Sequence, residues 1–196
     1  MTTDLLLAFV LGYLFGSVPF GLLLTRFTGK GDLRDIGSGN IGATNVLRTG
    51  SKPLAAATLI LDCLKATAAI LVARAIWPDS DIAAGAGALI GHLYPVWLKF
   101  RGGKGVSTFL GVLIPLFWQG ALIYAAIWIG LLILLRVSSI AGIAAAISAP
   151  ISALIFSQQD LLPLLAGFAL LVVWKHRENI SRLIAGTEPK VGARKT

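Results

Sequence analysis

The chain is poor in charge, cysteine and histidine. Asp, Glu, Lys and Arg make up 13% of its 196 residues, about half the ~25% usual in a soluble domain, so water cannot be the solvent for most of its surface. The single cysteine, Cys63, stands inside an apolar run, which excludes an intramolecular disulfide and a thiol-rich metal site. The two histidines, His92 and His176, are far apart in the sequence and offer no recognisable zinc-binding spacing. No basic leader precedes the first apolar run and no small-residue cleavage pattern follows it, so that run is expected to be kept as a helix.

What the chain does contain is apolar. Hydrophobic residues make up 56% of it and the mean hydropathy is +0.83, values that a lipid bilayer accommodates. Apolar runs fall near residues 5–27, 54–77, 82–98, 106–118, 120–135, 139–157 and 161–174, and a spanning helix needs roughly 20 such residues. The expected fold is therefore an all-α, polytopic bundle of about seven transmembrane helices, some of them short, in a single domain over 1–196. The stretch 106–135 is too long for one span, because about thirty helical residues reach ~45 Å against a ~30 Å hydrocarbon core. A bend near Pro115, Trp118, Gln119 and Gly120 resolves this and leaves a short first arm that fits a re-entrant or sheltered segment.

Charge sets the expected topology. Arg26, Lys30, Arg34, Arg48 and Lys52 follow the first run, Lys99, Arg101 and Lys104 the third, Arg136 the fifth, and Lys175, Arg177 and Arg182 the last. Asp79, Asp81 and Asp160 occupy the opposite connections. The positive-inside bias then puts the N-terminus outside and the C-terminus in the cytoplasm. The net charge of +8 sits beside headgroups and has no nucleic-acid-binding module with it, so membrane lipid and anionic ligands are the expected partners and nucleic acid is not. The basic tail Ala193-Arg194-Lys195-Thr196 is read as touching anionic lipid or nothing. Small-residue runs such as Gly85-Ala86-Gly87 and 141–146 read as helix packing, and the five Trp residues mostly as an interfacial belt.

Three polar clusters fall on the cytoplasmic side. The first, 37–48, reads GSGNIGATNVLR. Its glycines Gly37, Gly39 and Gly42 let backbone N–H groups converge on an anion, Ser38 and Thr44 supply hydroxyls, Asn40 and Asn45 amides, and Arg48 a bidentate cation. An ordinary turn-rich loop would look similar. The stretch matches G-x-G-x-x-G, but no strand precedes it, which argues against a dinucleotide site. The second, 91–108, reads GHLYPVWLKFRGGKGVST. Lys99 and Arg101 are explained as membrane anchors, whereas Lys104 between Gly103 and Gly105 is placed to reach an anion; Gly105 stands where a Walker A loop needs Ser or Thr. His92, one turn inside an apolar helix, reads as an interhelical hydrogen bonder. The third, 174–190, contains His176 and Asn179 at i,i+3, on one face of any continuing helix.

Two further features are legible. Ser138 and Ser139 after Arg136 can donate to an anion or cap the helix that follows. Asp62 and Lys65, i,i+3 in an apolar helix, read as a self-compensating intramembrane pair. One anion-binding surface beside lipid tails suits an enzyme that joins a phosphate-bearing molecule to an acyl chain. A small phosphate transporter is the competing class, although no inverted repeat is visible and the clusters lie at an interface, not at the midplane.

The three clusters, in this order and spacing, resemble the signature regions of the bacterial acyl-phosphate:glycerol-3-phosphate acyltransferases, and length and hydropathy agree along nearly the whole chain. The resemblance implies transfer of an acyl group from acyl phosphate to the 1-hydroxyl of sn-glycerol 3-phosphate, with no cofactor or metal, at the cytoplasmic face of the bacterial inner membrane, and a monomer is compatible with it. It implies Ser38, Arg48, Lys104, His176 and Asn179 around the glycerol phosphate, with Lys104, His176, Ser38 and Asn179 in catalytic roles. Gly39, Asn40, Gly42, Thr44, Gly103, Lys104, Ser138 and Ser139 would hold the acyl phosphate. Consistently, neither histidine begins the H-x-x-x-x-D motif of acyl-CoA-dependent acyltransferases, and no G-x-S-x-G elbow supports an acyl-enzyme.

Overall fold

The computed structural model describes residues 3–192; the basic tail at 193–196 lies outside the described residues. Among the described residues 76% are helical and none is in a strand, so the all-α expectation holds. The helices are α1 (Thr3–Gly16), α2 (Phe20–Phe27), α3 (Ala43–Val46), α4 (Lys52–Ile76), α5 (Asp81–Leu93), α6 (Val106–Leu116), α7 (Trp118–Leu135), α8 (Ser138–Ile155), α9 (Leu162–Lys175) and α10 (Arg177–Ile184). Among the described residues, four stretches are long and apolar enough to cross a membrane: 3–27, 52–76, 118–135 and 138–155. The chain divides into two compact units, 1–116 and 117–196.

In the first unit, α1 and α5 are joined by their smallest residues. Gly12 and Gly16 of α1 lie against the backbone of Ala84 and Ala88, and Gly87 and Gly91 of α5 lie against the carbonyls of Phe9 and Tyr13, so that a Cβ at any of the four would strike main chain. This is the small-residue packing anticipated for Gly87, and it works because lipid gives no hydrophobic drive and close backbone approach must supply the attraction. Gly111 of α6 packs in the same way on the Cys63 carbonyl of α4, beside a 2.8 Å bond from the Thr67 hydroxyl to the Gly111 carbonyl. Overpacking such a contact costs about 1–3 kcal/mol, so Gly16→Val is expected to lower the thermal midpoint in detergent by about 5 °C. An unchanged midpoint would show that α1 and α5 do not meet backbone to backbone.

In the second unit, α8 packs between neighbours along a face of small residues, Ala141, Ala145, Ala149 and Ser152, all buried. Large side chains turn outward in both units, including Ile60, Leu71, Leu122, Ile133 and Leu170. Small inside and large outside is the arrangement expected when the surroundings are lipid.

The structure corrects three segment boundaries. The first run is not one continuous helix: it breaks at 17–19, where Pro19 has no N–H to give the helix and the Ser17 hydroxyl bonds back to the Leu14 carbonyl at 2.8 Å. The third run leaves the helix after Leu93, since Tyr94 precedes Pro95 and is driven out of the α region; a 3₁₀ turn, Val96–Leu98, follows. The break in 106–135 falls at Phe117, whose φ of −157° interrupts the helix. Its ring folds onto Gly120, where any side chain would collide with it. Among the tryptophans, Trp118 and Trp174 are exposed near helix ends, but the Trp97 indole donates to the Ser17 carbonyl at 2.9 Å and ties down the first break.

Candidate functional site

The first cluster is built on a small core of its own. Leu22, Leu33, Ile41 and Val46 are buried together, with Leu54, Ala55 and Leu98 packed against them. Leu98 belongs to the second cluster, so one apolar core underlies both glycine-rich loops of the first unit. The entry to the loop is pinned by Asp32, which accepts from the Arg34 backbone and side chain and from Arg26 at 2.6 Å. Bonds from the Arg34 and Arg26 side chains hold its carboxyl well below the usual carboxylate range.

The centre of this loop is Asn45, 2% exposed. Its Nδ2 donates to the carbonyls of Leu33 and Ile36 at 3.0 and 2.8 Å. Its Oδ1 accepts from Arg48 at 3.1 Å and from the Ser38 backbone at 3.2 Å, with the Ser38 hydroxyl at 3.4 Å. Ser38 and Arg48 themselves are exposed, so Asn45 presents a hydroxyl and a guanidinium side by side on the loop surface. Gly37, at φ +55°, leaves room for the Arg48 side chain, which a Cβ there would strike. Gly39, at φ +67°, turns the chain so that its N–H returns to the Ile36 carbonyl at 2.9 Å. Asn40 bonds the Gly42 N–H at 3.0 Å, which turns the chain into α3, and Thr44 is exposed on α3.

Lys104 is half-buried in the second loop. That loop is docked on the end of α5: the Gly103 N–H reaches the His92 carbonyl at 3.0 Å and the Gly102 N–H the Leu93 carbonyl at 3.2 Å. The His92 imidazole lies directly against Gly103, where a Cβ would overlap the ring. His92 is buried, and its Nδ1 stands 3.0 Å from Lys65 Nζ, which in turn bonds Asp62 at 2.6 Å. The self-compensating pair read from the sequence is present and includes His92 as a third member.

In the second unit, His176 occupies the joint between α9 and α10, and Asn179 lies in the first turn of α10; both are buried. His176 Nδ1 meets the Val172 carbonyl at 2.7 Å. A carbonyl only accepts, so Nδ1 carries the proton and Nε2 is the acceptor of the neutral ring. Asn179 Nδ2 and the Ser139 hydroxyl donate to Glu188 Oε1 at 2.6 and 2.7 Å, and Arg182 Nε to Oε2 at 2.7 Å. Ser139 does not cap α8, whose N-cap is Val137; its donor goes to this carboxylate, while Ser138 is half-buried in the first turn. Burial alone would raise the Glu188 carboxyl, but the bonds from Asn179, Ser139 and Arg182 outweigh it and hold the group below its ordinary value.

Ser38 with Arg48, and Ser139 with Asn179, are thus brought together by Asn45, which the sequence offers only as one of two loop amides, and by Glu188, to which it assigns no role. Each had a faint signal. Asn45 is the amide closest to Arg48 on the same short helical turn, and Glu188 is the acid in the turn sequence Gly-Thr-Glu-Pro after the third cluster.

These features define a class: an all-helical membrane protein whose polar loops expose hydroxyls, amides and a guanidinium suited to a phosphate-bearing ligand. The family model for glycerol-3-phosphate acyltransferase matches residues 6–186. Curated relatives of that name include a protein of Mesorhizobium japonicum, 59% identical over 99% of this chain and 100% of its own length. A protein of Brucella ovis is 58% identical over 95% and 93%. The crystal structure of PlsY (YgiH), an integral membrane glycerol 3-phosphate acyltransferase in its glycerol 3-phosphate form, is 35% identical with a TM-score of 0.89, covering 96% of each chain. The chain belongs to the glycerol-3-phosphate acyltransferase family, the integral membrane acyltransferases of phospholipid synthesis.

Proposed function

We propose that this protein transfers an acyl group from acyl phosphate to the 1-hydroxyl of sn-glycerol 3-phosphate, giving 1-acyl-glycerol 3-phosphate and inorganic phosphate, the first acylation of bacterial phospholipid synthesis. The observation that carries the reading is the Ser38–Arg48 pair presented by Asn45 Oδ1. A hydroxyl beside a guanidinium is a phosphate receptor, and the donors are pre-oriented before any ligand arrives. The solved relative in its glycerol 3-phosphate form supports the acceptor, and a second one, in its lysophosphatidic acid form, supports the product.

In this reading Ser38, Arg48, Lys104, His176 and Asn179 hold the acceptor. Gly39, Asn40, Gly42, Thr44, Gly103, Lys104, Ser138 and Ser139 hold the acyl phosphate. The acceptor oxygen approaches the carbonyl carbon to ~3–3.5 Å, a new ester C–O bond forms, and the carbonyl C–O bond to phosphate breaks. Lys104 and loop N–H groups stabilise charge on the carbonyl oxygen and on the departing phosphate. The hydroxyl proton goes to the acceptor's own phosphate or to His176, whose Nε2 is the acceptor atom of the neutral ring. A His176→Ala enzyme that keeps its kcat while KM for glycerol 3-phosphate rises would assign the proton to the substrate; one that loses kcat would assign it to His176.

The apolar segments are read as about seven transmembrane helices, some short and the 106–118 arm re-entrant or sheltered, N-terminus outside and C-terminus cytoplasmic, in the bacterial inner membrane with the site at the cytoplasmic face. Residues 1–196 are read as one catalytic domain that needs no cofactor, a reading supported by a family match that runs through both units and compatible with a monomer. The deciding experiment gives purified protein glycerol 3-phosphate with either palmitoyl phosphate or palmitoyl-CoA and follows lysophosphatidic acid and phosphate. Turnover with acyl phosphate alone is expected. Turnover with the thioester alone would replace the donor.

A further inference from the structure

We infer that Lys65, buried in α4 and remote in sequence from every signature cluster, is the shared positioning residue for both anion-holding loops of the first unit. Its ammonium, 3% exposed, has three N–H donors and faces three acceptors: Asp62 Oδ1 at 2.6 Å, the Val18 carbonyl at 2.8 Å and His92 Nδ1 at 3.0 Å. A self-compensating ion pair needs only the first of these. The other two lead to the two loops.

The Val18 bond holds the break between α1 and α2. That break aims α2, and α2 seats the first loop: Gly21 lies against the Ile41 carbonyl, and Leu22 lies in the core with Leu33, Ile41 and Val46. An ammonium can only donate, so its contact with His92 Nδ1 makes that nitrogen the acceptor and puts the proton of the neutral imidazole on Nε2. His92 in turn seats the second loop, since the Nε2 edge of its ring lies against Gly103 and its carbonyl holds the Gly103 N–H at 3.0 Å. Gly103 directly precedes Lys104. One buried cation therefore sets where Ser38 and Arg48 stand and where Lys104 stands, by acting through Val18 and His92.

This inference rests on the reading of both loops as anion-holding, and its test separates the two. Lys65→Met alone would leave Asp62 as a buried unpaired charge and risks misfolding, so the variant is Asp62→Asn/Lys65→Met, made in the full chain. Glycerol 3-phosphate binding is followed by calorimetry and turnover in parallel, with the thermal midpoint as control. A midpoint close to the parent's, with glycerol 3-phosphate bound at least about 10-fold more weakly and kcat at least about 30-fold lower, is expected from loops displaced by a fraction of an ångström. A folded double variant within threefold of the parent in both quantities overturns the assignment.

A second pair of variants decides the matter if the first does not fold. His92→Asn keeps an acceptor near the Nδ1 position and His92→Leu does not. Asn is expected to retain most of the glycerol 3-phosphate affinity and Leu to lose about 10-fold; equal losses from the two overturn the assignment, because a purely space-filling role would not tell them apart. Binding needs no acyl donor. A parent that binds glycerol 3-phosphate yet ignores acyl phosphate would sink the donor assignment while leaving this comparison readable.

Discussion

Asn45→Ala should reduce kcat/KM for glycerol 3-phosphate by more than 100-fold while the protein still inserts and purifies. The substitution removes both Nδ2 bonds, which leaves the Leu33 and Ile36 carbonyls without this donor, and it takes Oδ1 away from Arg48 and Ser38. Losing each of these bonds costs about 0.5–1.5 kcal/mol, and the damage is local because the two carbonyls keep their backbone donors, Ile36 N–H and Gly39 N–H, and the contacts between α1, α4 and α5 do not involve the loop. The kinetic loss is larger than the stability loss, since a receptor displaced by about 1 Å forfeits on the order of 10²-fold. Asn45→Asp separates the two roles. An ionised Asp pairs with Arg48 but cannot donate to the two carbonyls, so it should rescue little. Steady-state kinetics on both variants would check this, and an Asn45→Ala enzyme within fivefold of the parent would show that Ser38 and Arg48 are placed by something else.

Glu188→Ala should lower kcat by about 100-fold, because Asn179 and Ser139 lose the oxygen that aligns them. Glu188→Gln should fall between the two, as its amide oxygen can replace Oε1 but its NH₂ would point a donor at Arg182 Nε. A pH signature accompanies the carboxylate. Folding lowers the Glu188 pKa from its ordinary 4.5, so the unfolded chain binds this proton more readily than the folded one. Its contribution to stability is then complete above pH 4.5 and is lost as pH falls through the depressed value. Thermal midpoints taken from pH 7 downward should drop more steeply in the parent than in Glu188→Gln, which has no such proton to bind. Parallel curves would show that folding does not lower the Glu188 pKa.

Sequence and structure divide this protein unevenly. The sequence alone determined that the chain is helical and membrane-embedded, where its main helices lie, and which loops carry polar chemistry. Those follow from composition and from runs of apolar residues, which report transfer into lipid residue by residue and need no knowledge of neighbours. The bend in 106–135 was legible to within a few residues because Pro115 and Gly120 punctuate the run, but the third run was carried through Pro95, and the break at 17–19 was missed because Pro19 sits inside an otherwise uninterrupted apolar run.

Only the tertiary structure decided which polar residues serve others. Asn45 and Asn40 lie in the same glycine-rich cluster, and the shorter spacing of Asn45 to Arg48 is too weak a signal to mark it as the buried hub and Asn40 as the turn former. Glu188 lies 49 residues from Ser139, which it binds. Lys65 reads from the sequence as half of an i,i+3 pair, yet its contacts to Val18 and His92 span 47 and 27 residues. A hydrogen bond depends on distance and direction at the ångström scale, and for residues so far apart in the chain both are set by how whole helices pack, through glycines such as Gly16 and Gly91, and not by any local pattern.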